Sequence, residues 1–432
     1  MENTVHAASH ERKHTAEKLT YAARNAQYWQ RNLAICVFGS FTTLVSLSML
    51  LPYLPLYVQQ LGVRTTAAIV QWSGIAFGAT FLGTAVTAPL WGQLADRYGR
   101  KPMLVRAAVG MAVVMSMIGL AHNVYELVGL RFAAGLIGGY ASASIVMIGT
   151  QAPPERSGWA LGVLSTGVLS GNLVGPLIGG ALPNLIGIRG TFFAGGAMIA
   201  ITAILTIVLV REEFSARPTT KIREVSESQS ASTPAGNDLK LAALLVTAMM
   251  VLLSNMSIEP IITVYIAQLG VARDRLSTVA GIVMASSAFG SMLMASRLGA
   301  LADRIGGWNV IIGCLVATGC VMIPQAFVAQ WWQLALLRGV MGMTLAGLLP
   351  SIAKLVRQAV HERESGKMLG YLQSSQYVGQ VIGPLIGGAI GVHLGLRYVF
   401  FGTGALLIGC ALLDWRAKDK QTPSQQVNAS TS

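Results

Sequence analysis

The second half of this chain repeats the first half at an offset of about 208 residues. The clearest pair is ALGVLSTGVLSGNLVGPLIGG at Ala160–Gly180 and MLGYLQSSQYVGQVIGPLIGG at Met368–Gly388. A second pair is GQLADRYG at Gly92–Gly99 and GALADRIG at Gly299–Gly306. Each half is therefore one copy of the same unit, and tandem apolar repeats predict two similar halves around a central interface.

Composition indicates that these units cross a membrane. Only 11% of the residues are charged and 53% are hydrophobic, whereas a soluble globular chain carries about 25% charged residues. We count twelve apolar stretches of roughly 18–26 residues, six in each half, each long enough to cross about 30 Å of hydrocarbon. The sequence therefore predicts an all-α membrane protein with twelve transmembrane helices in two six-helix repeats. The stretches begin near Leu33, Val70, Pro102, Tyr125, Gly158, Ile188, Lys240, Leu276, Trp308, Trp331, Gly366 and Gly395.

The net charge of +13 follows membrane topology. Most of the Lys and Arg residues lie on the side that holds both termini and the central linker. The positive-inside rule therefore predicts that both termini are cytoplasmic. Because no basic helix or aromatic-spaced basic patch is present, we expect no nucleic-acid partner.

The polar segments divide the chain into five parts. A polar, Ser-rich segment lies between the two apolar halves and has the composition of a flexible linker. The remaining connections are short, which favours antiparallel neighbouring helices. The predicted parts are a cytoplasmic tail at 1–32, a six-helix bundle at 33–210, a cytoplasmic linker at 211–240, a second bundle at 241–415 and a cytoplasmic tail at 416–432.

The segment GQLADRYGRKP, between the second and third stretches, holds a carboxylate among basic residues. Gly92 and Gly99 are placed to allow a sharp reversal, and Asp96 lies where a helix N-terminus or an arginine could hold it. The plain alternative is that Asp96 only caps the loop. The candidates for a conformational switch here are Gly92, Asp96, Arg97, Gly99 and Arg100, with Asp303 as the twin of Asp96.

The fifth stretch follows the pattern G-x8-G-x3-G-P-x2-G-G, and in the fourth stretch Arg131 precedes Gly135 by one turn. With the loop above, these motifs resemble the major facilitator superfamily over residues 33–415. The glycine pattern resembles that of its twelve-span drug/proton antiporters, including the MdtG-type multidrug efflux transporters. The residues of the antiporter pattern are Gly162, Gly171, Gly175, Pro176, Gly179 and Gly180.

The resemblance implies the major facilitator fold and proton-coupled export of small hydrophobic or amphipathic compounds by alternating access. It implies a multi-pass monomer of the bacterial cytoplasmic (inner) membrane that binds its substrate, protons and lipid, and needs no cofactor beyond the proton gradient. It also implies that Asp96 makes a charge–dipole contact between the halves and that Arg131 and Asp96 take part in proton coupling. The alternative is an exporter or carrier of one metabolite, such as a sugar, an organic acid or a siderophore.

Two of these motifs also have a purely structural interpretation. The glycines could serve only for close packing, because small residues at i and i+4 let membrane helices touch. Arg131 has a counterpart, Arg338, in the second half, which favours a structural role common to both repeats. The sequence leaves both interpretations open.

Glu259 is the principal candidate for proton binding. It is the only acidic residue well inside a predicted span, and Pro260 beside it frees a backbone carbonyl. A charge at such a depth costs roughly 2.5–3.5 kcal/mol on insertion scales, so it should face a partner or a water-filled cavity. We predict mutually exclusive binding of a proton and a cationic substrate; the alternative is an idle glutamate near the outer surface. Leu51 takes its place in the first half, whose first stretch has no acidic residue, unlike many drug antiporters.

Polar residues at helical spacing mark a predicted substrate cavity. Four of them recur at i, i+3, i+4 and i+7 on the eleventh stretch and share one face. Polar residues in membrane helices also serve simply to bond a neighbouring helix, which is the alternative. The cavity candidates are Tyr53, Asn172, Asn255, Glu259, Gln373, Gln376, Tyr377 and Gln380.

No sequence motif indicates enzyme chemistry. The chain has no G-x-x-x-x-G-K-[ST] loop, which argues against ATP as the driving force. It has no H-E-x-x-H motif and no catalytic Ser-His-Asp arrangement, so we expect no enzyme activity. The four cysteines lie in apolar stretches without metal-ligand spacing, so no metal site is predicted.

Overall fold

The computed structural model describes residues 28–212, 235–360 and 364–419, and within them it contains helices and turns but no β-strand. The all-α prediction is confirmed for these residues. The helices are α1 Tyr28–Ser48, α2 Leu54–Gln60, α3 Thr66–Tyr98, α4 Arg100–Gly119, α5 Val124–Ile137, α6 Tyr140–Gln151, α7 Pro154–Leu209, α8 Ala235–Ile258, α9 Ile262–Gln268, α10 Leu276–Ile305, α11 Gly307–Gln325, α12 Trp331–Leu345, α13 Leu348–Ala359, α14 Ser365–His393 and α15 Leu396–Asp419.

Ten helical segments of the described residues are long and apolar enough to cross a membrane, and two of them consist of consecutive helices, α5 with α6 and α12 with α13. α7 is 56 residues long, but its backbone leaves the helical region at Gly187, where φ is 74°. It therefore consists of two membrane-length helices joined at that glycine, close to the predicted start near Ile188. α14 has 29 residues and is also long enough to span. Helices begin within about one turn of the predicted starts, as at Leu276 and Trp331.

The first and seventh spans are broken at equivalent places. α1 ends at Ser48 and α2 begins at Leu54, while α8 ends at Ile258 and α9 begins at Ile262. Pro52 and Pro260 lie in these breaks, and proline removes a backbone donor that a continuous helix needs. Non-helical backbone at membrane depth is tolerated where it is buried in protein or lines a cavity. The breaks therefore mark the centre of the fold.

The helices extend a few residues beyond the predicted bundle limits. α1 begins inside the segment 1–32, α8 begins inside 211–240, and α15 continues into 416–432. A helix can continue past the apolar layer because its backbone hydrogen bonds remain internal. The remainder of the two predicted tails and of the linker lies outside the described residues.

The two halves meet near the helix ends that lie opposite the termini. α3 packs on α14, where a Cβ built on Gly74 would lie 2.5 Å from the carbonyl oxygen of Pro384. α7 packs on α10, where the Ser277 hydroxyl donates to the Gly180 carbonyl over 2.9 Å. Arg273 donates to Gln59 across the same surface over 2.9 Å. This end of the molecule is therefore closed between the halves.

Polar contacts on the terminus side remain within each half. Asp96 pairs with Arg100 in the first half, and Asp303 pairs with Lys354 in the second. Among the described residues, the side-chain hydrogen bonds that join the two halves all lie near the opposite end or at the helix breaks. The space between the halves therefore opens toward the terminus side.

Candidate functional site

A buried ion pair lies at the break of the seventh span. Glu259 directly follows α8, and its Oε1 accepts a hydrogen bond of 2.8 Å from Nη2 of Arg338 on α12. Arg338 is 0% exposed and Glu259 is 8% exposed. The second carboxylate oxygen and the Arg338 Nε have no further protein partner. The attraction between the two side chains therefore depends directly on the charge of the carboxylate.

The equivalent arginine of the first half has no carboxylate partner. Arg131 lies on α5 with its side chain 2% exposed, and its Nε donates to the carbonyl oxygen of Ala76 over 3.3 Å. Its guanidinium carbon lies 5.4 Å from the centre of the Phe77 ring. Both halves thus bury an arginine at the equivalent position, but only the second half pairs it with an acid. The role of Arg131 in proton coupling stays a prediction.

The cavity candidates of the broken helices differ in exposure. Tyr53 is fully buried and packs edge-on against Phe192, with ring centres 5.4 Å apart. It therefore lies inside the first bundle, and the expectation that it lines an open cavity is wrong for this conformation. Asn255, one turn before Glu259, is half-buried, and Asn172 on α7 is exposed. Aromatic packing with a residue 139 positions away (53 to 192) explains the burial of Tyr53.

The polar face of the eleventh span lies on the opening side of the interface. On α14, Val381, Pro384 and Gly388 contact α3 near the closed end. The polar residues continue the same helical stripe toward the terminus side, where the halves diverge, and they are half-buried or exposed. The geometry is that expected of residues facing the space between the halves. These residues are Gln373, Gln376, Tyr377 and Gln380.

The loop between α3 and α4 turns at one glycine. Gly99 has φ of 95°, which L-residues rarely adopt. Gly92 instead lies inside α3, with nothing within 4 Å of a built Cβ, so its predicted role in the reversal is wrong. Asp96 pairs with Arg100 over 2.5 Å, and its hydrogen bonds and ion pairs among the described residues all lie within the first half. The guanidinium of Arg97 lies over the Tyr98 ring.

Glu212, which follows α7, contacts the start of α4 and was not among the candidates from the sequence. Its two carboxylate oxygens accept hydrogen bonds from the backbone N–H groups of Arg100 and Lys101, at 2.9 and 2.6 Å. These are unpaired donors of the first turn of α4, where a negative charge is stabilising. Two acidic residues after the sixth span are visible in the sequence. The backbone N–H groups that Glu212 binds lie more than 100 positions earlier, so the sequence does not indicate the contact.

Asp414 is a second missed residue. It is 0% exposed, and its two carboxylate oxygens lie 3.0 and 2.9 Å from the Thr247 hydroxyl. The predicted second bundle ends at 415, one residue after Asp414. The structure buries it between α8 and α15, because α15 continues to Asp419.

The glycines of the antiporter pattern make two different helix–helix contacts, one within the first half and one between the halves. Built Cβ atoms at Gly171, Gly175 and Gly179 would overlap atoms at Phe41–Met49, in or just after α1 of the same half. A Cβ at Gly180 would overlap α10 of the other half, and Gly281 of α10 approaches the carbonyl of Pro176. Gly162 has nothing within 4 Å. Three of the six pattern residues therefore pack against the α1 segment in the first bundle, and Pro176 and Gly180 form part of the interface between the halves.

Sequence comparison decides the family. The model of the Major Facilitator Superfamily matches residues 36–323 and 244–431. The chain belongs to the major facilitator superfamily. It is 38% identical over 387 residues to the multidrug resistance protein MdtG of Proteus mirabilis, covering 90% of this chain and 96% of that protein. It is 39% identical over 392 residues to MdtG of Salmonella typhimurium strain LT2, with the same coverage.

Solved structures of the superfamily show the same fold. A bacterial homologue of the human lysosomal transporter Spinster, in an inward-facing and unoccupied conformation, aligns with a TM-score of 0.71 at 15% identity. The alignment covers 92% of this chain and 99% of that chain. The predicted major facilitator fold is therefore confirmed. The superfamily is one of transporters, so this chain is not an enzyme.

Proposed function

We propose that this chain exports small hydrophobic or amphipathic compounds across the bacterial cytoplasmic membrane in exchange for protons. The similarity to multidrug resistance proteins extends over 90% of the chain, so it includes both repeats and their interface. The glycine pattern of α7 supports export over uptake, as the family resemblance implies. The protein acts as a monomer in this proposal, because each chain contains both halves of the transport pathway.

The proposal includes twelve spans with both termini in the cytoplasm. Counting α7 as two spans across Gly187 and adding α14 to the ten apolar helices gives this number. Basic side chains cluster on the terminus side, at Arg97, Arg100 and Lys101. With this orientation, the closed end between the halves faces outward and the open space faces the cytoplasm.

The observation that carries the coupling mechanism is the buried Glu259–Arg338 pair. A proton on Glu259 removes its charge, so the attraction to Arg338 is lost and an uncompensated cation remains in the protein interior. The pair lies beside the helix break, close to where the Thr263 hydroxyl donates to the Pro52 carbonyl of the other half. Protonation therefore changes the electrostatics at the point where the halves meet, which supports a role in alternating access.

A proton gradient supplies enough free energy for this transport. One proton crossing about 150 mV releases roughly 3.5 kcal/mol, at ~2.3 kcal/mol per charge per 100 mV. Since ~1.4 kcal/mol corresponds to a tenfold ratio, one proton per cycle sustains about a 300-fold gradient of a neutral compound.

The test is proton flux in proteoliposomes that contain the purified protein and a pH-sensitive dye. A panel of amphipathic cations, neutral drugs and organic anions is added under an imposed pH gradient. We expect the wild type to move protons in response to some of these compounds and Glu259→Gln to lose this response. The amide keeps an oxygen for Arg338, which protects the fold. Asp414→Asn is the matched control, because it removes another buried carboxylate that has no arginine partner.

Two other outcomes would change the proposal. Normal exchange by Glu259→Gln would remove this residue as the proton site and direct attention to Asp96 and the surroundings of Arg131. If no compound moves protons in the wild type, proton-coupled drug export is refuted and a carrier of one metabolite takes its place.

A further inference from the structure

The two repeats treat their buried arginines differently. Arg338 is neutralised by Glu259 at 2.8 Å. No ion pair of the described residues includes Arg131, although its side chain is 2% exposed. An arginine stays protonated under all ordinary conditions, so the first bundle holds a buried positive charge without a protein counter-charge.

The guanidinium of Arg131 is only partly satisfied by its neighbours. Its Nε uses the carbonyl of Ala76, and one face lies near the Phe77 ring. Its Nη1 is buried and has no hydrogen-bond partner. A buried donor without an acceptor costs about 1–3 kcal/mol, and more when the group is charged. The arginine therefore presents an unused charged donor inside the bundle.

Unpartnered hydroxyl groups lie on the face of α3 that this arginine contacts. Ser73 and Thr80 lie three residues before and four residues after Ala76 on α3, so they share the face that Arg131 contacts. Both hydroxyls are buried without a partner. The Tyr53 hydroxyl, at the break of the first span in the same bundle, is also buried without a partner. All of these groups are able to donate a hydrogen bond to an anion.

The second half lacks two of these three hydroxyls at the equivalent positions, whereas Ser287 takes the place of Thr80. Tyr53 corresponds to Ile261 and Ser73 corresponds to Ala280, as judged by the repeat offset. In the first half, Leu51 takes the place of the carboxylate that neutralises the other arginine. One repeat therefore has a buried arginine with an internal acid, and the other has a buried arginine without an acid and with the additional hydroxyls of Tyr53 and Ser73.

We propose that Arg131 and these hydroxyls bind one compact, singly charged anionic group. An anion supplies the missing counter-charge, and charge-assisted hydrogen bonds to it are among the strongest available in a protein interior. The site lies beside the break of the first span, where discontinuous helices of transporters bind substrates and ions. Two sources share this chemistry, a free halide ion and the anionic group of an exported compound. The second source rests on the proposed export function.

The experiment measures equilibrium binding to the full-length protein purified in detergent and chloride-free buffer. One arm titrates bromide. The other arm titrates naphthalene-1-sulfonate, with the neutral naphthalene-1-sulfonamide and a naphthylmethyl trimethylammonium salt as matched compounds. Each is measured on the wild type, Arg131→Met, Arg131→Lys and Arg106→Met. Arg106 is the matched control, because it is also partly buried but bonds backbone carbonyls and stacks on Trp91.

We expect the wild type and Arg106→Met to bind at least one of the two anions, bromide and the sulfonate. If the site binds the anionic group of an exported compound, both proteins should bind the sulfonate more tightly than the sulfonamide. Arg131→Met should bind the anion about tenfold to a hundredfold more weakly, since it loses a charged hydrogen bond. Arg131→Lys should retain part of the affinity. The proposal is overturned if neither anion binds the wild type, or if Arg131→Met binds as tightly as the wild type.

A thermal unfolding measurement separates this site from a purely structural arginine. Without anion, Arg131→Met should unfold at the same or a higher temperature than the wild type, because it removes an uncompensated buried charge. A marked loss of stability would instead assign Arg131 to holding the Ala76 carbonyl and would overturn the proposal. Proton flux is a separate readout, so its absence with anion binding intact would refute export and not the site.

Discussion

Adjacent glycines of α7 should respond in opposite ways to one added methyl group. A Cβ at Gly179 would lie 1.8 Å from the carbonyl oxygen of Met49, just after α1 of the same half. A Cβ at Gly180 would lie 2.8 Å from the carbonyl oxygen of Ser277 and 3.1 Å from Cα of Thr278, in the other half. The first contact is internal to a bundle, whereas the second exists only while the outer ends are together.

The distances give the size of each effect. Ordinary contacts begin near 3.4 Å, so Gly179→Ala must displace backbone by roughly 1.6 Å within a packed bundle, at the upper end of the ~1–3 kcal/mol cost of overpacking. For a chain of this length, we expect the unfolding temperature to fall by about 3 °C. Gly180→Ala needs roughly 0.6 Å, and the halves can separate to provide it. A cost of about 1 kcal/mol on the closed state shifts the outward-open population about fivefold.

Pulsed electron spin resonance measures the separation of the outer ends. Spin labels on Arg64→Cys and Asp274→Cys, exposed in the outer loops of the two halves, report the distance in a background without native cysteines. Gly162→Ala is the control, because a Cβ there meets nothing within 4 Å. Gly180→Ala should lengthen the mean distance and leave the unfolding temperature nearly unchanged. Gly179→Ala should do the reverse.

Equal behaviour of the two variants would refute the division of the glycine pattern into a bundle part and an interface part. A loss of thermal stability in Gly180→Ala without a change in the label distance would have the same meaning.

Three further predictions concern single contacts. Arg338→Met should lower stability by about 3–5 kcal/mol by leaving Glu259 unpaired, and the double variant with Glu259→Gln should recover most of it in thermal unfolding; an additive double variant would contradict this pairing. Glu212→Ala should cost about 1 kcal/mol through loss of the α4 cap, and an unchanged unfolding temperature would show that water replaces it. Thr247→Val should be more destabilising than Asp414→Asn, because it leaves the acid without a donor; the opposite order would refute a structural role for that hydrogen bond.

The repeat and the hydropathy predicted the helices well. Starts near Leu276 and Trp331 agree with the structure, and the turn at Gly99 was predicted from its glycine. Membrane length and the need to satisfy every backbone group leave few alternatives for an apolar stretch of this kind, so local sequence is sufficient. Gly92 was misassigned because a glycine in a membrane helix and a glycine in a turn look the same in sequence.

The site was only half predictable. The depth of Glu259 in an apolar stretch indicated that it needs a partner, but the identity of Arg338 depends on where α12 lies relative to the break between α8 and α9. The two residues are 79 positions apart, and the sequence linked Arg338 only to its repeat counterpart. Tyr53 was expected in a cavity because a tyrosine in a broken helix has two possible directions, and packing against Phe192 selected the inward one.

The sequence by itself determined the fold class, the twofold repeat, the family and the residues able to carry charge inside the membrane. These properties follow from composition, periodicity and spacing along one chain, where each helix satisfies its own backbone. The tertiary structure alone decided which arginine is neutralised, which glycines seat α1 and which join the halves, and which end of the molecule is closed. Those outcomes depend on distances between segments far apart in sequence, and two repeats of nearly the same pattern can differ in them by a single side chain.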